Sequence, residues 1–132
     1  MFNDFGRLTV RAQTGGAYPV SGAIVRIRGA DEEISDVNYS LITNLSGNTE
    51  TITLPAPSIA YSASPDAKEI PFASYDIEIT AQDYYPKRIY GVEIFPRTDS
   101  IQIVSMIPIE GNGYGAPTGE LIAEIPNQEL ED

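Results

Sequence analysis

Tyrosine and basic side chains occur together in one short stretch of the chain, YYPKR at 84–88. Adjacent side chains of an extended segment point to opposite sides, so we expect at least one of the two tyrosines at the surface. A tyrosine ring beside a cation can stack on a sugar ring or anchor a protein partner. The other possibility is that these rings cover the end of the domain. The candidate contact residues are Tyr61, Tyr84, Tyr85, Lys87 and Arg88.

The side chains that carry out most enzyme chemistry are missing. The 132 residues include no histidine and no cysteine, which removes the commonest general base and every thiolate nucleophile or ligand. A serine–lysine pair would need Lys68 or Lys87, and both are expected in loops or at strand ends. We therefore predict that the protein is not an enzyme and needs no cofactor.

The acidic residues leave a calcium site conceivable. The segment GADEEISDVN at 29–38 carries four acidic residues within positions 31–36, and Ca²⁺ takes about six to eight oxygen ligands. Their spacing does not follow a known calcium loop. The alternative is a solvated acidic loop that keeps a sheet edge soluble.

The net charge is strongly negative and unevenly distributed. It is −11 overall; residues 1–109 hold 13 acidic and 8 basic residues, and residues 110–132 hold 6 acidic residues and no basic ones. A charge of this sign argues against nucleic acid and against anionic membrane surfaces as partners. No apolar run reaches the roughly 18 residues that suggest a membrane span, and the N-terminus does not resemble a signal peptide.

Alternating apolar residues predict seven short strands separated by glycine, proline and other turn residues. No segment shows a helical period. Seven such strands indicate an all-β domain over 1–109, a seven-stranded antiparallel β-sandwich with Greek-key connections. The predicted strands lie at 7–12, 23–28, 39–43, 49–54, 74–81, 87–95 and 101–107.

Several local features follow from this pattern. NLSG at 44–47 predicts a β-hairpin turn, and Gly91 predicts a β-bulge. Tyr75 falls on the apolar side of its strand, so we expect a core tyrosine whose hydroxyl is hydrogen-bonded. The last predicted strand carries Ile101, Ile103, Ser105 and Ile107, and Pro108 closes it.

Two segments stand apart from the strands. Residues 55–73 hold four prolines and form the longest irregular stretch, which makes them a second candidate contact region. Residues 110–132 are a glycine-rich acidic tail, expected to be flexible. Within that tail we predict that 119–126 is either disordered in the monomer or ordered only by pairing with a sheet edge, in its own chain or in a neighbouring copy.

Four segments resemble, in order, the carboxypeptidase regulatory-like domain, which has a transthyretin-type (prealbumin-like) sandwich. They are GRLTV at 6–10, YPVSGAIVRI at 18–27, TNLSG at 43–47, and SYDIEI at 74–79 with DYY at 83–85. The resemblance implies a prealbumin-like fold. Asp83 stands where the family has glycine, at a position where positive φ is easiest for glycine.

A narrower resemblance concerns GNTETITLPAP at 47–57, YYP at 84–86 and VEIFP at 92–96. These pieces resemble a module at the N-terminus of spore cortex-lytic and peptidoglycan-binding proteins of Firmicutes. That likeness implies a non-catalytic accessory module that contacts glycan or an envelope protein, in the cytoplasm or associated with the spore. Related sandwich enzymes, the hydroxyisourate hydrolases and intradiol dioxygenases, use histidines that this chain lacks. The alternative function is a structural or assembly protein of a phage or spore, which contacts other proteins through its loops and tail and forms oligomers through an edge strand.

Overall fold

The computed structural model describes residues 2–58 and 71–109, together with the backbone of two strands at 122–124 and 128–131. The fold is all-β, apart from one 3-10 turn at Glu32–Ile34. Each of the seven predicted segments contains a strand. The strands are β1 (Asp4–Thr14), β2 (Tyr18–Pro19), β3 (Ile24–Gly29), β4 (Asn38–Ile42), β5 (Ile52–Ala56), β6 (Ala73–Thr80), β7 (Lys87–Ile94), β8 (Asp99–Ser105), β9 (Ile122–Glu124) and β10 (Gln128–Glu131).

The strands form two sheets that pack as a β-sandwich. In sheet A the order is β10-β8-β1, and the far side of β1 pairs with both β5 and β2. In sheet B the order is β4-β3-β6-β7-β9. The apolar side chains of both inner faces make one buried cluster, which includes Leu8, Val10, Val25, Ile27, Leu54, Tyr75, Ile77, Ile79, Ile89 and Ile94. No helix in the described part of the chain is both long enough and apolar enough to cross a membrane.

The sheets differ from the predicted sandwich in strand number and direction. The described residues form ten strands rather than seven, because β2, β9 and β10 are added. The pairs β1–β8 and β7–β9 are parallel, so the prediction of a wholly antiparallel fold is wrong. Apolar alternation reports which face of a strand is buried and carries no information on the direction of its neighbour.

The segment at 44–47 is a corner between the sheets and does not form the predicted hairpin. It connects β4 of sheet B to β5 of sheet A, and these two strands do not pair. The Asn44 side-chain oxygen accepts hydrogen bonds from the N–H groups of Ser46 (2.9 Å) and Asn48 (3.1 Å). A local Asx-type turn therefore satisfies its own backbone without needing strand partners.

Two buried threonines hold this corner against both sheets. The Thr43 hydroxyl donates to the carbonyl of Val20 (2.7 Å) and accepts from the N–H of Ala23 (2.9 Å). The Thr49 hydroxyl oxygen accepts from the N–H of Val10 in β1 (3.0 Å). Each hydroxyl satisfies backbone groups that would be costly to bury unpaired.

The inward face of β8 follows from its pairing with β1. Parallel pairing with β1 places Leu8 beside Ser100 and Val10 beside Gln102, so the buried face of β1 determines that of β8. The residues of β8 and its end that point inward are Ser100, Gln102, Val104 and Met106. Ile101 and Ile103 therefore lie on the outer face of sheet A, and Ile107 is exposed.

Two local predictions are confirmed. Tyr75 is fully buried, and its hydroxyl donates to the carbonyl of Pro55 at 2.6 Å. Burial raises the pKa of Tyr75 well above its ordinary value. Gly91, at φ 71°, lies where the β6–β7 register shifts, and its N–H donates to the Asp76 carboxylate (3.1 Å). Asp83, in the turn before β7, adopts positive φ (71°).

The tail contributes two edge strands in its own chain. β9 pairs with β7 at the edge of sheet B, and β10 pairs with β8 at the edge of sheet A. For residues 122–124 the structure thus shows the own-chain pairing that was one of the predicted alternatives.

Replacing Tyr75 by phenylalanine should lower the free energy of unfolding by about 1–2 kcal/mol, because it removes one buried hydrogen bond and keeps the ring. The folded pKa of Tyr75 is raised above its unfolded value of about 10. The stability that this group contributes is therefore complete below about pH 10 and is lost as pH rises toward the folded pKa. Urea unfolding at neutral and alkaline pH measures both effects. Tyr90→Phe is the exposed control, and equal losses in the two variants would contradict the inter-sheet bond.

Gly47→Ala should destabilise the protein more than Gly22→Ala. Both glycines have φ near +80° (80° and 78°), so alanine meets the same conformational cost of about 1–2 kcal/mol at each. A Cβ on Gly47 would lie 2.5 Å from the carbonyl oxygen of Ala12, whereas one on Gly22 meets nothing within 4 Å. We expect at least about 2 kcal/mol between the two variants by chemical denaturation. Equal costs would mean that the corner does not pack on β1.

Candidate functional site

The two turn tyrosines lie at one end of the sandwich and are both half-buried. Tyr84 packs against the core cluster and forms an isolated bridge with Pro108. The N–H of Tyr85 donates to the carbonyl of Ile107 at 2.9 Å. The turn is thus part of the domain. The ring of Tyr84, rather than that of Tyr85, packs against the core cluster.

The basic residues that follow the turn separate from each other. Lys87 is only 2% exposed, so the prediction that it joins a surface contact is wrong. In β7 it lies on the same inward face as Ile89, because alternate residues of a strand share a face. Arg88 lies on the outer face. Tyr61 and most of the 55–73 segment fall outside the described residues.

The acidic segment around the 3-10 turn shows no calcium geometry. Its Ile34 is buried in the core, and the Asp31 carboxylate accepts the N–H of Ser74 at 3.1 Å. Across the described ranges no group of three or more acidic side chains is placed to hold a metal ion. Asp31 therefore has a structural contact that ties this loop to β6.

The outer face of sheet B carries a charged groove of about 450 Å³, which we call the sheet B groove. Its floor is a row of residues across three strands. In the strand register, Arg26 of β3 lies opposite Glu78 of β6, and Glu78 lies opposite Arg88 of β7. These residues alternate with the core residues of the same strands, so the packing that buries the inner face also aligns this row. The lining residues are Arg26, Arg28, Asn38, Ser40, Asp76, Ile77, Glu78 and Arg88.

Arg88 is held in a fixed position within the groove. Its guanidinium donates to the Glu78 carboxylate at 2.7 Å and to the Tyr90 hydroxyl at 3.2 Å. Its central carbon lies 5.9 Å from the centre of the Tyr90 ring, within the range of a cation–π contact. The hydrogen bonds to Tyr90 and Glu78 raise the pKa of Arg88 above its ordinary value.

The remaining two arginines of the groove lack such partners. Glu78 is engaged by Arg88, and Asp76 accepts the N–H of Gly91. Arg26 and Arg28 are exposed, and neither makes a hydrogen bond or ion pair with any residue that the structure describes. Two guanidinium groups without an ion pair thus stand two residues apart on one face. Each lies opposite an acidic residue of β6, and the three arginines and two acidic residues of the lining leave the groove with a net charge of +1. Guanidinium forks bind carboxylate and phosphate oxygens in a bidentate manner.

The sequence does not single out Arg26 and Arg28 as contact residues. Alternation places them on the outer face of their strand, and it places Asp76 and Glu78 on the outer face of another. The missing information is that these two strands are neighbours in the register that sets Arg28 beside Asp76. A pattern in the sequence could have suggested this charged row: two basic residues at alternate outward positions of one strand, and two acidic residues at alternate outward positions of another.

Comparison with family models and with curated proteins finds no match to this chain. Among solved structures, the TIE protein of Bacillus anthracis superposes with a TM-score of 0.53 at 12% identity, over 80% of this chain and 17% of that one. Catechol 1,2-dioxygenase from Acinetobacter sp. ADP1 superposes with a TM-score of 0.54 at 10% identity, over 92% of this chain and 58% of that one. The corresponding enzyme of Acinetobacter radioresistens gives 0.54 at 11% identity, with the same coverage.

These likenesses concern the fold alone. The chain spans between 17% and 58% of the length of the structures it matches. At such identities they support a β-rich fold and carry no activity over to this chain.

Alanine substitution should distinguish the two turn tyrosines. Tyr84→Ala should lower the free energy of unfolding by about 2 kcal/mol, because its ring packs against the core, and Tyr85→Ala by about 1 kcal/mol or less. Thermal and chemical denaturation of each single variant measure the difference. A larger loss for Tyr85→Ala would reverse the assignment of the core-packed ring.

Proposed function

We propose that the chain is a non-catalytic accessory binding module of cell-wall or spore-cortex processes, which contacts glycan or an envelope protein. The observation that carries this proposal is the sheet B groove, which has a net charge of +1 and exposes Arg26 and Arg28 without an ion pair, in a chain of net charge −11. A local cationic surface in an acidic protein favours one orientation of an anionic partner. Peptidoglycan fits this chemistry because its peptide stems carry carboxylates.

The finer fold assignment is part of the same proposal. The two-sheet sandwich is compatible with a carboxypeptidase regulatory-like, prealbumin-like domain, and the motif segments quoted above support it. Asp83 at positive φ also agrees, since it stands where that family has glycine. The link to the cortex-associated module depends on the LPAP and IFP segments.

One further contact region belongs to this proposal. The turn residues Tyr84 and Tyr85 would form a second contact apart from the groove, whereas Arg88 belongs to the groove itself. Tyr61, which lies outside the described residues, stays a candidate from the sequence. Of the turn pair, Tyr85 is the better candidate because Tyr84 packs against the core.

The second candidate function is a structural or assembly protein. It is favoured by exposed apolar side chains beside the inter-sheet corner, with Ile42 65% and Leu45 87% exposed. Side chains of this kind are common anchors of protein contacts when they lie together. This candidate predicts binding to protein subunits and none to glycan.

Co-sedimentation with purified peptidoglycan sacculi tests the main proposal. We expect the wild-type protein to sediment with sacculi, and Arg26→Gln/Arg28→Gln to bind about tenfold more weakly because two charge-assisted contacts are lost. The binding should weaken with salt, since the groove is open to solvent.

The matched control is Arg7→Gln/Arg97→Gln, which makes the same charge change elsewhere on the domain. Arg7 and Arg97 form exposed ion pairs with Asp99 and Asp4, so the control should fold and bind normally. Equal losses in both double variants would show a general charge effect. Wild-type binding no stronger than that of an unrelated acidic β-sandwich would contradict the proposal.

A further inference from the structure

Strand β4 ends sheet B and presents backbone hydrogen-bonding groups on its far side. The N–H of Thr43 donates to the carbonyl of Ala23, and the N–H of Gly29 donates to the carbonyl of Val37. Hydrogen-bonded pairs alternate along an antiparallel ladder. The N–H and C=O groups that point away from β3 therefore belong to Asn38, Ser40 and Ile42, and none of the three has a backbone partner among the residues that the structure describes.

This edge lacks the usual protection of an edge strand. Its sequence, NYSLI, contains no charge, proline or glycine, the features that normally discourage strand addition. Elsewhere in the described part of the chain, the edges of β7 and β8 are each covered by a tail strand.

A second groove follows the β4 edge and meets the first. It has a volume of about 460 Å³ and is lined by Ser40, Leu41, Ile42, Asn44, Asn48 and Glu50. Ser40 lines both this groove and the sheet B groove. A segment seated along the edge would therefore pass beside Arg26 and Arg28.

We propose that β4 accepts an extended acidic peptide as an additional strand of sheet B, with carboxylates at alternate positions bound by Arg26 and Arg28. The inference deepens the proposed function, on which it rests, by naming the partner of the same surface. Alternate side chains of a strand lie about 7 Å apart on one face, which is also the spacing of Arg26 and Arg28 along β3.

The geometry of the edge determines which half of the peptide is acidic. An added strand lies about 10 Å from β3, two strand spacings away, and an arginine can extend toward it across the shorter side chains of Asn38 and Ser40. Glu50 lines the other end of the edge groove. Carboxylates are therefore expected beside Asn38 and Ser40, and uncharged side chains beside Ile42.

A second copy of the chain fits this edge less well than an acidic peptide. Pairing β4 with its symmetry mate would bring two copies of Arg26 and Arg28, which lack ion pairs, onto one continuous sheet face, in a dimer of highly charged subunits. An acidic strand instead neutralises the arginines and satisfies the edge backbone.

The probe is a short fluorescent peptide with glutamate alternating with valine and threonine, and the readout is fluorescence anisotropy. We expect saturable binding to the full chain, at least about tenfold weaker binding of the peptide with lysine in place of glutamate, and a similar loss with Arg26→Gln/Arg28→Gln. Ser40→Pro should abolish binding, since it removes an N–H that points away from β3 and leaves the β3–β4 ladder intact.

Ser40→Thr keeps the N–H and should bind like the wild type, and unfolding curves check that Ser40→Pro remains folded. Undiminished binding by a folded Ser40→Pro variant would overturn strand addition, and indifference to the charge of the peptide would overturn the role of the arginines. A concentration-dependent dimer in sedimentation velocity that Ser40→Pro abolishes, without any peptide binding, would assign the edge to a second copy and overturn the inference.

Sacculus binding separates this inference from the proposed function. Sacculus binding that Ser40→Pro leaves intact, together with no peptide binding, would refute the acidic strand and keep the glycan role. Peptide binding without sacculus binding would support the acidic strand and refute the cell-wall role.

Discussion

The hydrogen bond from the Tyr75 hydroxyl to the Pro55 carbonyl joins the two sheets through the middle of the sandwich. Tyr75 lies on β6, the central strand of sheet B, and Pro55 on β5 of sheet A. A fully buried tyrosine requires a partner for its hydroxyl, so this bond restricts how β5 can lie over β6. The bulge at Gly91 occurs directly beside Tyr75, where the β6–β7 register shifts. The position of Arg88 relative to Glu78, and hence the shape of the sheet B groove, follows from that register.

The corner at 44–47 has the complementary role at the open side of the sandwich. Thr43 and Thr49 hydrogen-bond backbone groups of both sheets, and Gly47 packs on the backbone of β1. The corner connects β4 to β5, and these two strands do not pair with each other. β4 therefore remains an edge strand, and the arginines of β3 lie only one strand away from solvent at that side.

The two sides of the sandwich differ in whether a strand of the tail covers the sheet edge. On the β7–β8 side, residues 122–124 and 128–131 add a strand to each sheet and satisfy its edge. On the β4 side the backbone of an uncharged strand has no partner among the described residues, and the exposed Arg26 and Arg28 lie on the neighbouring strand. Under the proposed function, this local positive charge in an acidic chain would orient an anionic partner.

Alternation, turn residues and composition were enough to predict the all-β class, the seven principal strands, the buried Tyr75 and the bulge at Gly91. Each of these depends on a residue and its near neighbours along the chain. The inter-sheet corner, the parallel β1–β8 pair, the inward face of β8, the burial of Lys87 and the row that joins Arg26 to Arg88 were not predictable in this way. They depend on which strands become neighbours and in which register, and many pairings are compatible with the same alternating pattern. Only the packing of the two inner faces against each other selects one of them.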